Sequence, residues 1–201
     1  MNKKQLSIFL SKLKTFENPD VKLEQYNTDS EVAAEVLWAA YYNKDVEDKI
    51  IADFGAGSGI LGIGALLLNA GFVYFVEKDK SAATILKKNL KLLNFNNCKI
   101  INDDISGFAE KVDVVIENPP FGTKEKHIDK KFLEKAMSLA DSIYSIHKIT
   151  SEKFIKALAK DHDFSSILML KFNLPIKKTL KFHKKPVYNV QAGCWKLNRK
   201  V

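Results

Sequence analysis

The sequence predicts an α/β fold: a mostly parallel sheet of seven strands with an antiparallel terminal hairpin and helices on both faces. Three observations predict it. After residue 49, short apolar runs alternate with amphipathic stretches, the pattern of strand–helix–strand units built around a parallel sheet. The last two apolar runs follow one another with no helical stretch between them, which makes them an antiparallel pair. With 201 residues and 46% hydrophobic content, the chain can bury a substantial core as one domain.

The elements follow in order. Residues 1–49 form a helical lead-in, with helices at Leu6–Leu13 and Ser30–Tyr42 and an irregular segment at Leu23–Asp29. Strands are expected at Ile50–Phe54, Val73–Glu77, Lys99–Asn102, Val112–Glu117, Ser142–His147, Phe164–Phe172 and Val190–Leu197. Helices fit Ile60–Asn69, Ser81–Leu93, Lys130–Ala140 and Ser151–Ala159, the last opened by Ser151 with Glu152 beside it. No repeat or low-complexity linker divides the chain, so residues 1–201 are expected to be a single domain in which 1–49 cover a ligand site.

Composition narrows the function classes. No apolar run is long enough to span a bilayer and no secretory pattern follows Met1, so no membrane role and a cytoplasmic location are expected. Cys98 and Cys194 lie far apart with no metal-ligand spacing and read as small buried residues in a reducing compartment, so no metal is expected. The net charge of +8 is unevenly spread. Residues 1–121 carry 14 Lys against 17 acids, whereas residues 122–201 carry 18 Lys and Arg against 7 acids. Segregation of this kind suits a polyanionic partner, though a well-solvated lysine surface is the plain alternative. Arg199 is the only arginine, which largely removes bidentate reading of guanine edges.

The strand Ile50–Phe54 runs into Gly55-Ala56-Gly57-Ser58-Gly59 and then a helix at Ile60. Glycine permits a sharp turn and close approach of a ligand. The spacing is G-x-G-x-G, and a dinucleotide fingerprint would need glycine at position 60. This disfavours NAD and fits the turn of a nucleoside–methionine cofactor, with Asp53, Gly55, Gly57, Ser58, Gly59 and Ile60 around it. Glu77 ends the next strand, where an acid accepts from ribose hydroxyls. Asp104 follows the third strand, where it can accept an adenine amino hydrogen with Ile105 beside the ring. Singly, each has a bland reading as a turn or a strand end; their order after three successive strands points to one ligand.

Val112–Glu117 leads into Asn118-Pro119-Pro120-Phe121. Two prolines stiffen the chain and leave carbonyls free to accept. An exocyclic amine attacking a methyl sulfonium needs such acceptors: the Asn118 oxygen and the Pro119 carbonyl can each take one N–H, and Phe121 can stack on the base. Positioning and charge stabilisation then suffice without a covalent intermediate.

These motifs resemble those of the class I (Rossmann-like) amino-group methyltransferases. Leu23–Thr28 (LEQYNT), Asn118–Lys124 (NPPFGTK), Tyr144–Lys148 (YSIHK) and Lys181–Lys185 (KFHKK) are similar to segments of the methyltransferase-like family that makes N6-methyladenine in small-subunit ribosomal RNA. The resemblance spans roughly residues 20–195. It implies S-adenosylmethionine as cofactor, contacted by Gln25, Thr28, Gly55, Ser58, Ile60, Glu77, Asp104 and Ile105, with Asn118–Phe121 holding the target base. Asn27 stands where the family has proline, and Glu77 where aspartate is common. The family also implies a small zinc-binding activator protein docking at the Lys99–Asn102 strand.

For RNA, the sequence offers six lysines and no acid between Lys171 and Lys185, interleaved with Phe172, Phe182 and His183. Lys124, Lys178, Lys181, His183, Lys184 and Lys185 are the candidate RNA contacts. The reading is therefore transfer of a methyl group to adenine N6 in RNA, on a single-stranded or flipped nucleotide. Glutamine-N5 methylation of a protein, DNA adenine methylation, and a non-catalytic RNA-binding scaffold are the alternatives. His147 reads equally well as a satisfied core histidine.

Overall fold

Each strand–helix step in the second quarter of the chain is set by where apolar residues stop alternating and begin a helical stripe. In the computed structural model, which describes residues 1–15, 28–120, 127–177 and 187–200, β1 (Ile50–Phe54) leads to α3 (Ile60–Leu67), β2 (Phe72–Val76) to α4 (Lys80–Leu93), and β3 (Cys98–Ile101) to a 3₁₀ turn at Ile105–Gly107. β4 (Val114–Glu117) precedes α5 (Ile128–Leu139), and β5 (Ser142–Lys148) precedes α6 (Glu152–Asp161). The long strands β6 (Phe164–Lys177) and β7 (Val187–Arg199) close the sheet, and α1 (Lys3–Leu10) and α2 (Ser30–Tyr42) precede it.

The strand order is β3-β2-β1-β4-β5-β7-β6. The first five strands are parallel, and β7 runs antiparallel to both neighbours. β1 and β4 are buried on both faces, which explains their unbroken apolar runs. One core layer joins α1, α2, α3 and α4 to the sheet through Leu10, Leu37, Ile63 and Leu86. The other joins α5 and α6 through Leu133, Met137, Ile155 and Leu158 around Phe54 and Trp195. Side-chain caps fix three helix starts: Asn2 and Gln5 form a capping box, and Asp29 and Asp79 accept from the first turns of α2 and α4.

Two expectations need adjustment. β6 continues five residues past Phe172, through Pro175, because it is a sheet edge, where a missing N–H is tolerated. Cys194 is buried as expected, but Cys98 is only half-buried, since it opens the other edge strand. No described helix is long and apolar enough to cross a membrane.

Candidate active site

Register places the site. Ile101, Val76, Phe54, Glu117 and Ser145 form one row across β3, β2, β1, β4 and β5. The next residue of each central strand therefore emerges beside its neighbour: Glu77 from β2, Gly55 from β1 and Asn118 from β4. Adjacent strands lie about 4.8 Å apart, so three distant motifs share one edge.

The glycine turn is held from three sides. Gly55, Gly57 and Gly59 have φ of 65°, 57° and 90°, a region costly for residues with a Cβ. A Cβ at Gly59 would also meet Leu86 Cδ1 at 2.2 Å. The N–H groups of Gly55 and Ala56 donate to the Val76 carbonyl at 2.9 and 3.2 Å. Gly59, the N-cap of α3, has no side chain to cap with. Asp53 supplies the missing acceptor, its Oδ2 taking the Gly62 N–H at 2.8 Å. Asp53 is buried; burial pushes its carboxyl up to about 7, opposed by the Gly62 bond and assisted by nearby Glu77.

Glu77 is 8% exposed, just beyond β2. Its Oε2 accepts from the Gly57 N–H at 2.7 Å and its Oε1 from the Asp79 N–H at 2.8 Å. Burial raises its pKa, against these two hydrogen bonds. Asp104 is exposed beyond β3, and its Oδ1 accepts from the Ser106 N–H and hydroxyl at 3.0 and 2.8 Å. Those bonds hold it below the usual carboxylate range. Asp104 and buried Ile105 line a cavity of about 400 Å³ with Lys78, Ser106 and Ile128.

At the end of β4, Asn118 is half-buried and Pro119 buried. The Asn118 Nδ2–H donates to the Thr28 hydroxyl at 2.9 Å, tying the lead-in segment to the turn and leaving Oδ1 as the acceptor of that amide. The structure thus brings Thr28, Asp53, the Gly55–Ile60 turn, Glu77 and Asn118–Pro120 to one edge of the sheet, with Asp104 and Ile105 flanking it. Gln25, Phe121, Lys124, Lys178, Lys181, His183, Lys184 and Lys185 lie outside the described residues.

Sequence reasoning missed two supports. Asn89, fully buried in α4, accepts from the Lys14 N–H and donates to the carbonyls of Lys14 and Ser58, all at 2.9 Å, so it ties the lead-in to the glycine turn. Its place in the buried stripe with Ala82 and Leu86 was the available signal, since an asparagine on an apolar face needs partners. The second is Asn102, whose Nδ2 donates to the Glu77 carbonyl at 2.7 Å.

Residues 30–162 match the family model described as Conserved hypothetical protein 95. The rRNA N(6)-adenosine-methyltransferase METTL5 of Danio rerio is 34% identical over 199 residues, covering 96% of each chain. The rRNA N(6)-adenosine-methyltransferase Mettl5 of Drosophila melanogaster is 29% identical, covering 96% of this chain and 94% of its own. Among solved structures, a candidate RNA methyltransferase from Pyrococcus horikoshii superposes with a TM-score of 0.93 at 41% identity, covering 100% of this chain and 99% of its own. The fold is that of class I methyltransferases, and the chain belongs to the Conserved hypothetical protein 95 family, as a methyltransferase of the METTL5 type.

Proposed function

We infer that the protein transfers a methyl group from S-adenosylmethionine to N6 of an adenosine in ribosomal RNA, in the small subunit. The observation that carries this is the shared row of strand ends, which sets the glycine turn and Glu77 beside an Asn118 whose amide is already oriented by Thr28. The rRNA-methylating relatives match this chain over nearly its whole length.

The residues present fit the cofactor. Three left-handed glycines at alternating positions 55, 57 and 59 set the tight turn after β1, and a buried carboxylate just past β2 suits ribose hydroxyls. Gln25, Thr28, Asp53, Gly55, Gly57, Ser58, Gly59, Ile60 and Glu77 would hold the methionine and ribose parts. Asp104 and Ile105 would hold the adenine, beside the 400 Å³ cavity. When bound, S-adenosylmethionine supplies an electrophilic methyl on sulfonium.

Asn118 Oδ1 and the Pro119 carbonyl accept the two N6–H groups. This withdraws the nitrogen lone pair from the ring and gives it to the attack. Pro119 and Pro120 keep those acceptors rigid, so little reorganisation is needed at the moment of reaction. Phe121 stacks on the base. Lys124 and the lysines of 171–185 would hold the RNA backbone; of these, Lys171 walls a cavity of about 330 Å³ with Asn173, Gln191 and Ile149. A zinc-binding activator would dock on β3, which among the described residues pairs only with β2; such an edge invites a partner strand.

The test is incubation with labelled S-adenosylmethionine and ribosomal RNA lacking the modification, followed by digestion to nucleosides, with Asn118→Ala alongside. N6-methyladenosine made by the wild type and lost in the variant is expected. Label in protein instead would indicate glutamine methylation, and cofactor binding without turnover, even with a co-purified activator, would indicate a scaffold.

A further inference from the structure

Directly before Asn118, the last residue of β4 is an acid with no exposure at all. Glu117 lies on the same sheet face as Phe54 and Trp195, and opposite Ser145 in register. The Ser145 hydroxyl donates to Glu117 Oε1 at 2.7 Å and lies 2.6 Å from His147 Nε2. Ser145 and His147 are buried as completely as Glu117. With His147 as the Nε2–H tautomer, the serine oxygen accepts from the imidazole while its proton goes to the acid. Glu117 Oε2 has no hydrogen-bond partner among the described residues. An ionised Glu117 would leave that oxygen as a bare buried charge, whereas the protonated acid leaves only a hydroxyl.

We propose that Glu117, Ser145 and His147 form a neutral hydrogen-bonded chain that positions Asn118 for methyl transfer, and that loss of the Glu117 proton loosens the turn. The inference rests on the methyltransferase reading above. None of the three touches substrate in this scheme; they are positioning residues, acting through the peptide bond between Glu117 and Asn118 and through the clamp between β4 and β5.

The surroundings favour the neutral chain. From β1 the titratable neighbour is Asp53, another acid, which raises the Glu117 pKa. From β5 come Ser145 and His147, and burial holds the imidazole neutral by pushing it down to about 3. From β7 comes Trp195, its ring edge-on to His147 at 6.0 Å. The buried faces of α5 and α6 on this side are apolar: Phe132, Leu133 and Ile155. Burial, the largest influence, pushes Glu117 up to about 8, against the Ser145 bond.

The test compares wild type, Glu117→Gln and Ser145→Ala. Glutamine keeps the shape and an acceptor for Ser145 but cannot ionise. In the wild type, kcat on rRNA falls about tenfold per pH unit above about 8; in E117Q the enzyme stays active and this limb is absent. S145A lowers kcat about tenfold at pH 7 while the KM for S-adenosylmethionine stays within about twofold. An unchanged alkaline limb in E117Q, or full kcat in S145A, overturns the proposal. If the wild type methylates no RNA, the methyltransferase reading fails separately, and two readouts still decide. Wild type at pH 7 shows an infrared carbonyl band of a protonated carboxyl that E117Q lacks, and the Asn118 side-chain amide resonance shifts in S145A. Absence of either effect refutes the chain.

Discussion

Thr28 is the sharpest place to separate two roles at this site. The motif resemblance implies a cofactor contact for Thr28, whereas in the structure its hydroxyl accepts the Asn118 Nδ2–H at 2.9 Å. Thr28→Val removes that acceptor at nearly constant volume. One such hydrogen bond contributes about 0.5–1.5 kcal/mol net. If it orders Asn118 mainly for the transition state, that energy converts to about a 2- to 13-fold fall in kcat. The half-buried Asn118 amide also loses its fixed rotamer, which favours the upper part of this range. The assay is steady-state kinetics with rRNA saturating and S-adenosylmethionine varied, alongside Thr28→Ser, which keeps the hydroxyl and is expected to restore kcat. A kcat lowered several-fold with little change in cofactor KM supports the positioning role. A cofactor KM raised tenfold or more with kcat unchanged refutes it, because uniform loss of binding would then describe Thr28.

Three further expectations concern the scaffold. Gly59→Ala places a Cβ 2.2 Å from Leu86 Cδ1 at φ 90°, and urea unfolding should show a loss of about 2–4 kcal/mol together with weakened cofactor binding. Asn89→Ala removes the partner of the buried Ser58 carbonyl and of the part-buried Lys14 N–H and carbonyl, a cost of about 1–3 kcal/mol measurable by the same titration, and faster hydrogen exchange in residues 10–15 should accompany it. Asp53 holds its proton to about pH 7 when folded but releases it near its ordinary value of 3.8 when unfolded. Its contribution is therefore complete below about pH 4 and is lost as pH rises toward 7. The urea midpoint of Asp53→Asn should depend less on pH across that window, and an undiminished slope would contradict this account.

The alternation of apolar and amphipathic stretches was enough to place every strand and helix to within a few residues, because parallel strands buried on both faces must be continuously apolar and their crossover helices must be striped. β6 ran longer than expected because an edge position, invisible in one dimension, tolerates Pro175. The glycine turn, Glu77 and Asn118 were each readable as local chemistry, since a ligand's backbone approach, a hydroxyl acceptor and an amine acceptor demand particular residue types.

By itself, then, the sequence determined the α/β class, the glycine turn proposed for the cofactor and the Asn-Pro-Pro turn proposed for the amine. Tertiary structure alone decided what joins them. Register across β2, β1 and β4 sets Glu77, Gly55 and Asn118 side by side. It also sets Ser145 against Glu117, folds Thr28 onto Asn118 across 90 positions, and turns Asn89 onto Lys14 and Ser58. Such pairings depend on strand order and on which face a side chain takes, and neither is encoded in any local stretch of residues.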